Sequence, residues 1–202
     1  MTTENNNEGW WRGIHHIALL GLGIRLILAF FSDHIYHPDE IFQYLEQGHR
    51  IAFGYGYIPW EYRFGVRSFI IPGFISFVLS LCRLFHVNDP SYYIVVVKMV
   101  FCIFSVSLIY STYIIGRSLM SEAAGRLTSV FMCFWYELIY FAHKPTPEVL
   151  STYFLIGALV CAVVSSGKRK PVLFGLLSAL SIAVRFQYLP VIGIIGLFVC
   201  FR

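Results

Sequence analysis

Charged residues are scarce in this chain. They make up 13% of its 202 residues, whereas hydrophobic residues reach 57% and the mean hydropathy is +0.68; soluble domains carry about 25% charged residues. The net charge of +4 is too small and too dispersed to follow a phosphate backbone, so a nucleic-acid-binding protein is excluded. Disordered chains and coiled coils are excluded as well, and the composition indicates a membrane protein.

Cysteine is present, but never in a metal-binding or redox pattern. Five cysteines lie singly in apolar segments, at positions 82, 102, 133, 161 and 200. Because none forms a C-x-x-C pair, we expect small buried side chains and exclude a disulfide-rich fold. Residues 1–12 carry no basic n-region, and no cleavage site follows the first apolar run, so we expect that run to remain as an anchor.

Seven apolar runs are long enough, or nearly so, to cross a bilayer as helices, which takes about 20 residues. They cover residues 14–31, 69–85, 92–115, 123–141, 149–164, 172–184 and 191–201. We therefore predict an all-α polytopic membrane protein with one membrane domain. Its parts are a cytoplasmic tail at 1–13, a first transmembrane helix at 14–31, an outer loop at 32–91 and further transmembrane helices at 92–202.

The topology follows from the basic loops. Lys and Arg accumulate at 117–126 and 168–170, and loops rich in these residues lie in the cytoplasm. The loops at 32–68, 143–148 and 185–190 then share the outer side.

The chain is on the outer side both before the run at 69–85, in the loop at 32–68, and after it, at Tyr92. This run therefore begins and ends on the outer side. Pro72 and Gly73 interrupt this run, and Arg83 lies within it. We predict a helix at the outer interface or dipping into it. The alternative is a plain crossing that breaks the positive-inside rule.

The polar segment at 32–68 is too rich in specific side chains to be a linker, and loops of this length are usually functional. H-P-D-E at 37–40 marks a helix start, because proline suits the first turn.

At helical spacing, Asp39, Gln43 and Glu46 share one face of this helix, while Glu40 points about 100° away toward a different partner. An apolar stripe predicts that the helix lies along the membrane surface. The stripe comprises Ile41, Phe42, Tyr44, Leu45 and Ile51.

Residues 37–72 read HPDEIFQYLEQGHRIAFGYGYIPWEYRFGVRSFIIP and contain H-P-D-E, Q-x-x-E, H, F-x-Y-G, W-E-[WFY] and R-S-x-x-x-P in that order. This pattern resembles the signature of the GT-C glycosyltransferases of family 22. These are polyprenyl-phosphate-mannose-dependent mannosyltransferases of N-glycan and GPI-anchor assembly. The resemblance implies the N-terminal part of a GT-C transmembrane helix bundle, since the chain has about half the family's usual length.

The resemblance also implies an inverting displacement with Asp39 as the catalytic base. Polyprenyl phosphate is a good leaving group, so a base and nearby cations suffice without a cofactor or metal. The implied partners are a polyprenyl-phosphate sugar donor, a glycan or glycolipid acceptor and membrane lipids. The implied location is the ER membrane of a eukaryote or the plasma membrane of a bacterium.

A polar insertion at 143–148 stands where the family carries an R-x-x-S-N-x-x-E type of motif, of which Glu148 and a basic residue survive. Beside Asp39, the predicted substrate-binding residues are Glu40, His37, Gln43, Glu46, Trp60, Glu61, Arg63, Arg67, Arg25, Arg185 and Glu148.

Two predicted roles leave alternatives open. Arg25 and Arg185 lie in the outer halves of their runs, where each either snorkels to the headgroups or contacts the lipid phosphate. For Arg25, a contact with the Asp39 or Glu40 carboxylate is a third possibility.

His34, His37 and Asp39 form H-x-x-H-x-D, which is a weak metal signal. Sugar contacts and plain surface histidines are the favoured readings.

Two other functions compete with the enzyme. A transporter or flippase would use the intramembrane charges of Arg25, Lys98 and Glu137, but the sequence shows none of the inverted repeats that such proteins carry. The third possibility is a noncatalytic membrane scaffold.

Overall fold

The computed structural model describes residues 3–164 and 170–201. Within these ranges the chain forms helices, turns and loops without a strand, as predicted. The elements are α1 (Thr3–Phe31), a π-helical segment (Glu40–Leu45), α2 (Glu46–Phe53), α3 (Trp60–Arg63), α4 (Ile70–Leu84), α5 (Pro90–Leu119), α6 (Glu122–Phe134), α7 (Tyr136–Phe141), α8 (Pro147–Val163), α9 (Lys170–Val184), a 3-10 turn (Phe186–Tyr188) and α10 (Leu189–Cys200).

Two helices in the described ranges are long and apolar enough to cross a membrane, namely α5 and the part of α1 at Gly13–Phe31. Shorter apolar helices account for the runs in α4, α8, α9 and α10. α1 begins at Thr3, inside the predicted tail at 1–13, and continues without a break into the apolar part; the cytoplasmic location of that tail stays a prediction. The basic loop at 168–170 lies largely outside the described residues, so the topology stays a prediction.

The run predicted as one crossing at 123–141 is instead two helices. α6 ends before Trp135, which is extended, and α7 begins at Tyr136. In a continuous helix the Tyr136 amide would donate to the Met132 carbonyl. Here the Arg25 guanidinium donates to that carbonyl at 2.8 Å, so a buried arginine caps the interrupted helix.

The long helix α5 is the centre of the bundle. It packs against α1, α4, α6 and α8, and α8 packs in turn against α9. The main core cluster includes Ile75 of α4, Phe101 of α5 and Leu150 of α8. Tyr44 belongs to the same cluster, so the outer loop is packed onto the bundle.

The H-P-D-E sequence begins a helix, as predicted. We call residues 38–53, which include the π-helical segment and α2, the loop helix. A π-helical turn holds more residues than an α-turn, so the later residues are shifted around the axis. Glu46 consequently leaves the face of Asp39 and Gln43, and its carboxylate accepts a hydrogen bond from the Tyr57 amide at 3.0 Å. The prediction that all three share one face is wrong for Glu46.

The loop helix turns both polar and apolar side chains toward the protein. Tyr44 is buried in the main core cluster and Leu45 packs against it, so the predicted membrane-facing stripe is wrong for these two residues. Gln43 and Gln47 are buried, whereas Phe42 is 53% exposed and Ile51 is 46% exposed. The Gln47 amide donates to the carbonyls of Phe42 at 3.0 Å and Tyr57 at 2.8 Å. These bonds satisfy a buried amide that would otherwise destabilise the fold. Contact of the outward apolar side chains with a membrane surface stays a prediction.

Residues 69–85 are helical as predicted, but Pro72 and Gly73 do not interrupt α4, since they lie in its first turn. α4 packs closely on the loop helix at Gly48, where a Cβ atom would lie 2.5 Å from the Ile75 side chain. Its placement at the interface, or across the membrane, stays a prediction.

Candidate active site

A cavity of about 510 Å³ lies where the three outer loops meet, and its volume is typical of small-molecule sites. Asp39, Glu148 and Arg185 line it, one from each loop. The sequence therefore grouped these loops correctly. Glu40, Arg67, Tyr44 and His37 contribute further polar lining, and the apolar lining includes Leu108, Leu138, Phe141 and Val149. We call this space the Asp39 cavity.

Asp39 lies in the first turn of the loop helix with 38% of its side chain exposed. Its Oδ2 atom is 3.6 Å from Nη2 of Arg67. Its Oδ1 atom is 3.5 Å from Nδ1 of His37, but that nitrogen accepts the Asp39 amide proton at 3.3 Å and so does not donate to the carboxylate. Asp39 is therefore accessible and is held near one permanent cation.

Arg67 connects two carboxylates and a phenol. Its Nη2 atom also lies 3.9 Å from Oε1 of Glu61, and its Nη1 donates to the Tyr44 hydroxyl at 2.9 Å. Burial raises the pKa of Tyr44 to about 12, although Arg67 opposes that rise. Tyr44 thus stays protonated at neutral pH and retains a proton to donate to a ligand.

Gln43 supports the Glu61 side chain. Its side-chain amide donates to Oε1 of Glu61 at 2.9 Å, and its backbone carbonyl accepts a hydrogen bond from the Tyr62 hydroxyl at 2.7 Å. Glu61 and Trp60 line a second cavity of about 570 Å³ rather than the Asp39 cavity.

Glu148 and Arg185 face each other across the ends of α8 and α9. Arg185 Nη2 is 2.8 Å from Oε1 of Glu148, and Arg185 Nε donates to Oε1 of Gln187 at 3.0 Å. The guanidinium is therefore oriented from two sides at the wall of the Asp39 cavity.

Glu40 points to a different partner from Asp39, as predicted. Its carboxylate lies 3.3 Å from Nζ of Lys144, and both side chains are buried. The Lys144 ammonium also donates to the His34 carbonyl. A desolvated ion pair that makes further hydrogen bonds holds a fixed geometry, and losing one partner leaves a buried charge.

His143 is buried next to Lys144. Burial, together with the charges of Lys144 and Lys98, lowers the pKa of His143 to about 4. The imidazole is therefore neutral near pH 7, and in the described part of the chain its ring nitrogens have no hydrogen-bond partner.

Arg25 does not belong to the site. It is fully buried and donates to the carbonyls of Gly21 at 2.9 Å and Met132 at 2.8 Å. The predicted headgroup contact and the predicted contact with Asp39, Glu40 or a lipid phosphate are all wrong. The reason is the break after α6, since carbonyls in the last turn of a helix need donors and attract a cation.

The remaining predicted residues lie apart. Glu46 fixes a turn of the outer loop, and Arg63 is exposed at the end of α3, where it lines neither cavity. His34 is drawn away from His37 by a 2.7 Å hydrogen bond with the Tyr140 hydroxyl. Across residues 3–164 and 170–201 no three His, Cys, Asp or Glu side chains are grouped to hold a metal ion.

Two residues at the site were missed in the sequence. Lys144 carried a signal, because a lysine in an outer loop runs against the positive-inside rule. Tyr44 was assigned only to the apolar stripe, and the sequence contains no signal for its contact with Arg67.

A family model described as the Alg9-like mannosyltransferase family matches residues 16–202, which confirms the family resemblance of the motifs. GPI mannosyltransferase 3 of Drosophila melanogaster is 34% identical over 98 residues, covering 48% of this chain and 17% of that protein. Mannosyltransferase APTG1 of Arabidopsis thaliana is 35% identical over 89 residues, covering 44% and 16%.

GPI mannosyltransferase 3 of Yarrowia lipolytica is 25% identical over 181 residues, covering 76% of this chain and 35% of that protein. The chain thus matches between 16% and 35% of the length of these three relatives. No solved structure matches it.

Proposed function

This chain belongs to the Alg9-like mannosyltransferase family. We propose that it contains the reaction centre of a membrane glycosyltransferase. In this proposal, mannose moves from a polyprenyl phosphate to a glycan or glycolipid acceptor. The supporting observation is that an accessible carboxylate, two guanidinium groups and an apolar wall line one cavity. Asp39, Arg67 and Arg185 supply the charged groups.

Asp39 serves as the base. An acceptor hydroxyl placed within hydrogen-bond distance of its carboxylate loses its proton to Asp39 as the oxygen attacks the anomeric carbon. The bond between that carbon and the phosphate oxygen breaks with inversion, and the electron pair leaves with the polyprenyl phosphate. Because Asp39 is 38% exposed, it can release the proton to water afterwards.

Arg67 and Arg185 stabilise the departing phosphate. An arginine gives two parallel hydrogen bonds to phosphate and keeps its charge at every relevant pH. Both guanidinium groups are held in advance by neighbouring side chains, so little reorganisation is needed when negative charge develops. This arrangement requires no metal or other cofactor.

The apolar wall receives the first isoprenoid units of the donor. Leu108 belongs to the middle of α5 and Val149 to the start of α8, so the wall extends from the outer loops into the helix bundle. Burial of a hydrocarbon chain against such a surface stabilises binding by about 25 cal/mol per Å².

The location follows from the substrate. We assign the protein to the membrane as a multi-pass enzyme, in the ER of a eukaryote or the plasma membrane of a bacterium. Its partners are the polyprenyl-phosphate donor, the glycan or glycolipid acceptor and membrane lipids.

The alternative function of a transporter would place Arg25, Lys98 and Glu137 along one substrate pathway, and their contacts do not support this. Arg25 bonds helix carbonyls, Lys98 donates to the Ser32 carbonyl at 2.6 Å, and Glu137 accepts from the Trp135 indole at 2.8 Å on the exposed surface. The three charges make separate local contacts.

The proposal is tested with membranes from cells that carry or lack the gene. Polyprenyl-phosphate-linked labelled mannose is added, and label is followed into membrane lipids and glycans. We expect additional labelled product only where the gene is present. Equal labelling in both membranes would contradict the proposal.

A further inference from the structure

The second cavity lies beside the Asp39 cavity, and the two share a wall. Tyr44, Arg67 and Arg185 line both spaces. Arg67 marks the boundary, since one of its nitrogens lies 3.6 Å from Asp39 in the first cavity and 3.9 Å from Glu61 in the second. A ligand in the second cavity is therefore adjacent to the carboxylate that we propose as the base.

The second cavity has the side chains that bind sugars. Trp60 at its edge is 62% exposed, although an indole normally buries much of its surface. Ser68 and Gln187 add a hydroxyl and an amide to the lining. A pyranose ring presents apolar C–H groups that pack on an aromatic face and hydroxyls that bond amides and carboxylates.

Glu61 is already oriented for such a ligand. Its side chain is only 13% exposed, and Gln43 and Arg67 both contact Oε1. Among the described residues Oε2 has no such contact, which leaves it to accept a hydrogen bond from a ligand hydroxyl. A carboxylate fixed in this way loses little conformational freedom on binding.

Apolar side chains of α4 and α9 also line the second cavity, but the polar share of its surface is larger than in the Asp39 cavity, whose wall suits a hydrocarbon chain better than a second sugar. The acceptor must nevertheless present its hydroxyl to Asp39 while the rest of its glycan lies elsewhere. We infer, on the basis of the proposed function, that the second cavity is the acceptor subsite. It binds a terminal sugar ring of the acceptor glycan, with Trp60 stacking on the ring and Glu61 accepting from its hydroxyls.

The kinetic test uses Trp60→Ala, Trp60→Phe and Glu61→Gln in the full-length protein in membranes. Acceptor is varied at saturating donor, and donor is varied at saturating acceptor. We expect Trp60→Ala to raise the acceptor KM about tenfold without changing the donor KM. Glu61→Gln should raise the acceptor KM by a similar factor and change the donor KM less, because Glu61 also lies 3.9 Å from Arg67. Trp60→Phe should recover much of the loss, because a phenyl ring still offers an apolar face.

Tyr57→Ala is the matched control. Tyr57 lies in the same loop and is also 62% exposed, but it lines neither cavity, so neither KM should change. An unchanged acceptor KM in both Trp60→Ala and Glu61→Gln, or a change confined to the donor KM, overturns the acceptor subsite while the proposed transfer stands.

A binding measurement tests the sugar site without relying on the proposed transfer reaction. Free mannobiose is titrated into the purified Asp39→Asn protein without donor, and contact is followed by saturation-transfer NMR. We expect binding that Trp60→Ala weakens about tenfold. This result together with a wild-type protein that transfers no mannose would reject the proposed function and keep the sugar site. No binding to the parent protein, or equal binding to the Trp60→Ala form, overturns the sugar site.

Discussion

Lys144 places its ammonium group 3.3 Å from the carboxylate of Glu40, and the contact is buried. The Glu40 carboxylate also accepts a hydrogen bond from the Tyr36 backbone amide at 3.2 Å. It therefore ties the chain before Asp39 to the residue that follows Asp39. Lys144 lines neither cavity. It acts as a positioning residue that fixes the segment in which the proposed base lies.

Lys144→Met should destabilise the protein by about 3–5 kcal/mol, because the Glu40 charge would be left buried without its partner. The double variant Glu40→Gln with Lys144→Met removes that charge and should recover most of the loss. Thermal unfolding in detergent measures both effects.

Lys98→Met is the comparison for this cycle, since Lys98 bonds the Ser32 carbonyl at 2.6 Å, forms no ion pair within 4.0 Å among the described residues, and interacts with Asp33 and Glu40 only at longer range. We expect it to lose less stability than Lys144→Met. A double variant as unstable as the Lys144 single variant would show that the ion pair is not the source of the effect.

Asp39→Asn should reduce transfer by about 10²- to 10⁴-fold, the usual effect of losing a positioned base. The fold should persist, because the carboxylate is partly exposed and its ion pair with Arg67 is long at 3.6 Å. Asp33→Asn is the control, since this acid lies in the same loop but lines neither the Asp39 cavity nor the second cavity. Near-normal transfer by Asp39→Asn would reject the assignment.

Much of the architecture could be predicted because it depends on hydropathy and on the count of basic residues. Those two properties give the helical fold and place the loops of Asp39, Glu148 and Arg185 together. The H-P-D-E sequence likewise gives the helix start, since proline has the same local effect in any context.

Other features depend on contacts between segments that are distant in the sequence. The spacing of residues along one helix does not predict such contacts. The break at Trp135 accompanies a hydrogen bond from Arg25, more than a hundred residues earlier. The shift of Glu46 arises from one π-helical turn, and the partner of Glu40 comes from the loop before α8. A helical wheel assumes uniform geometry and isolated elements, so it cannot show any of these.

Arg25 and Arg185, for which the sequence predicted the same role, should respond differently to replacement by lysine. Arg185→Lys should raise the donor KM about tenfold, because lysine cannot form the paired hydrogen bonds of a guanidinium with phosphate. Arg25→Lys should lower the unfolding temperature and leave the donor KM unchanged, since Arg25 is buried among helix carbonyls and the Cys133 thiol and lines neither cavity.

Initial rates at varied donor concentration, together with unfolding curves, distinguish the two arginines. An unchanged donor KM in Arg185→Lys would remove the phosphate role. An altered donor KM in Arg25→Lys without loss of stability would return Arg25 to the site.

Mild acid should destabilise the protein through His143. Its pKa is about 4 in the folded state against an ordinary value of 6.5, so between these values the unfolded chain binds more protons and stability falls as pH falls. The loss should reach about 1–3 kcal/mol at pH 5 or below. Lys144, Lys98 and the Tyr140 ring face this imidazole.

The measurement is the unfolding temperature in detergent from pH 7.5 to 4.5, for the parent protein and for His143→Gln. We expect a flatter pH profile in the variant, because glutamine does not titrate. His16→Gln, at an exposed histidine of α1, is the control for replacing a histidine, and it should keep the parent slope. A variant profile as steep as that of the parent would assign the acid sensitivity to other groups, and the carboxylates around Arg67 would then be the next to replace.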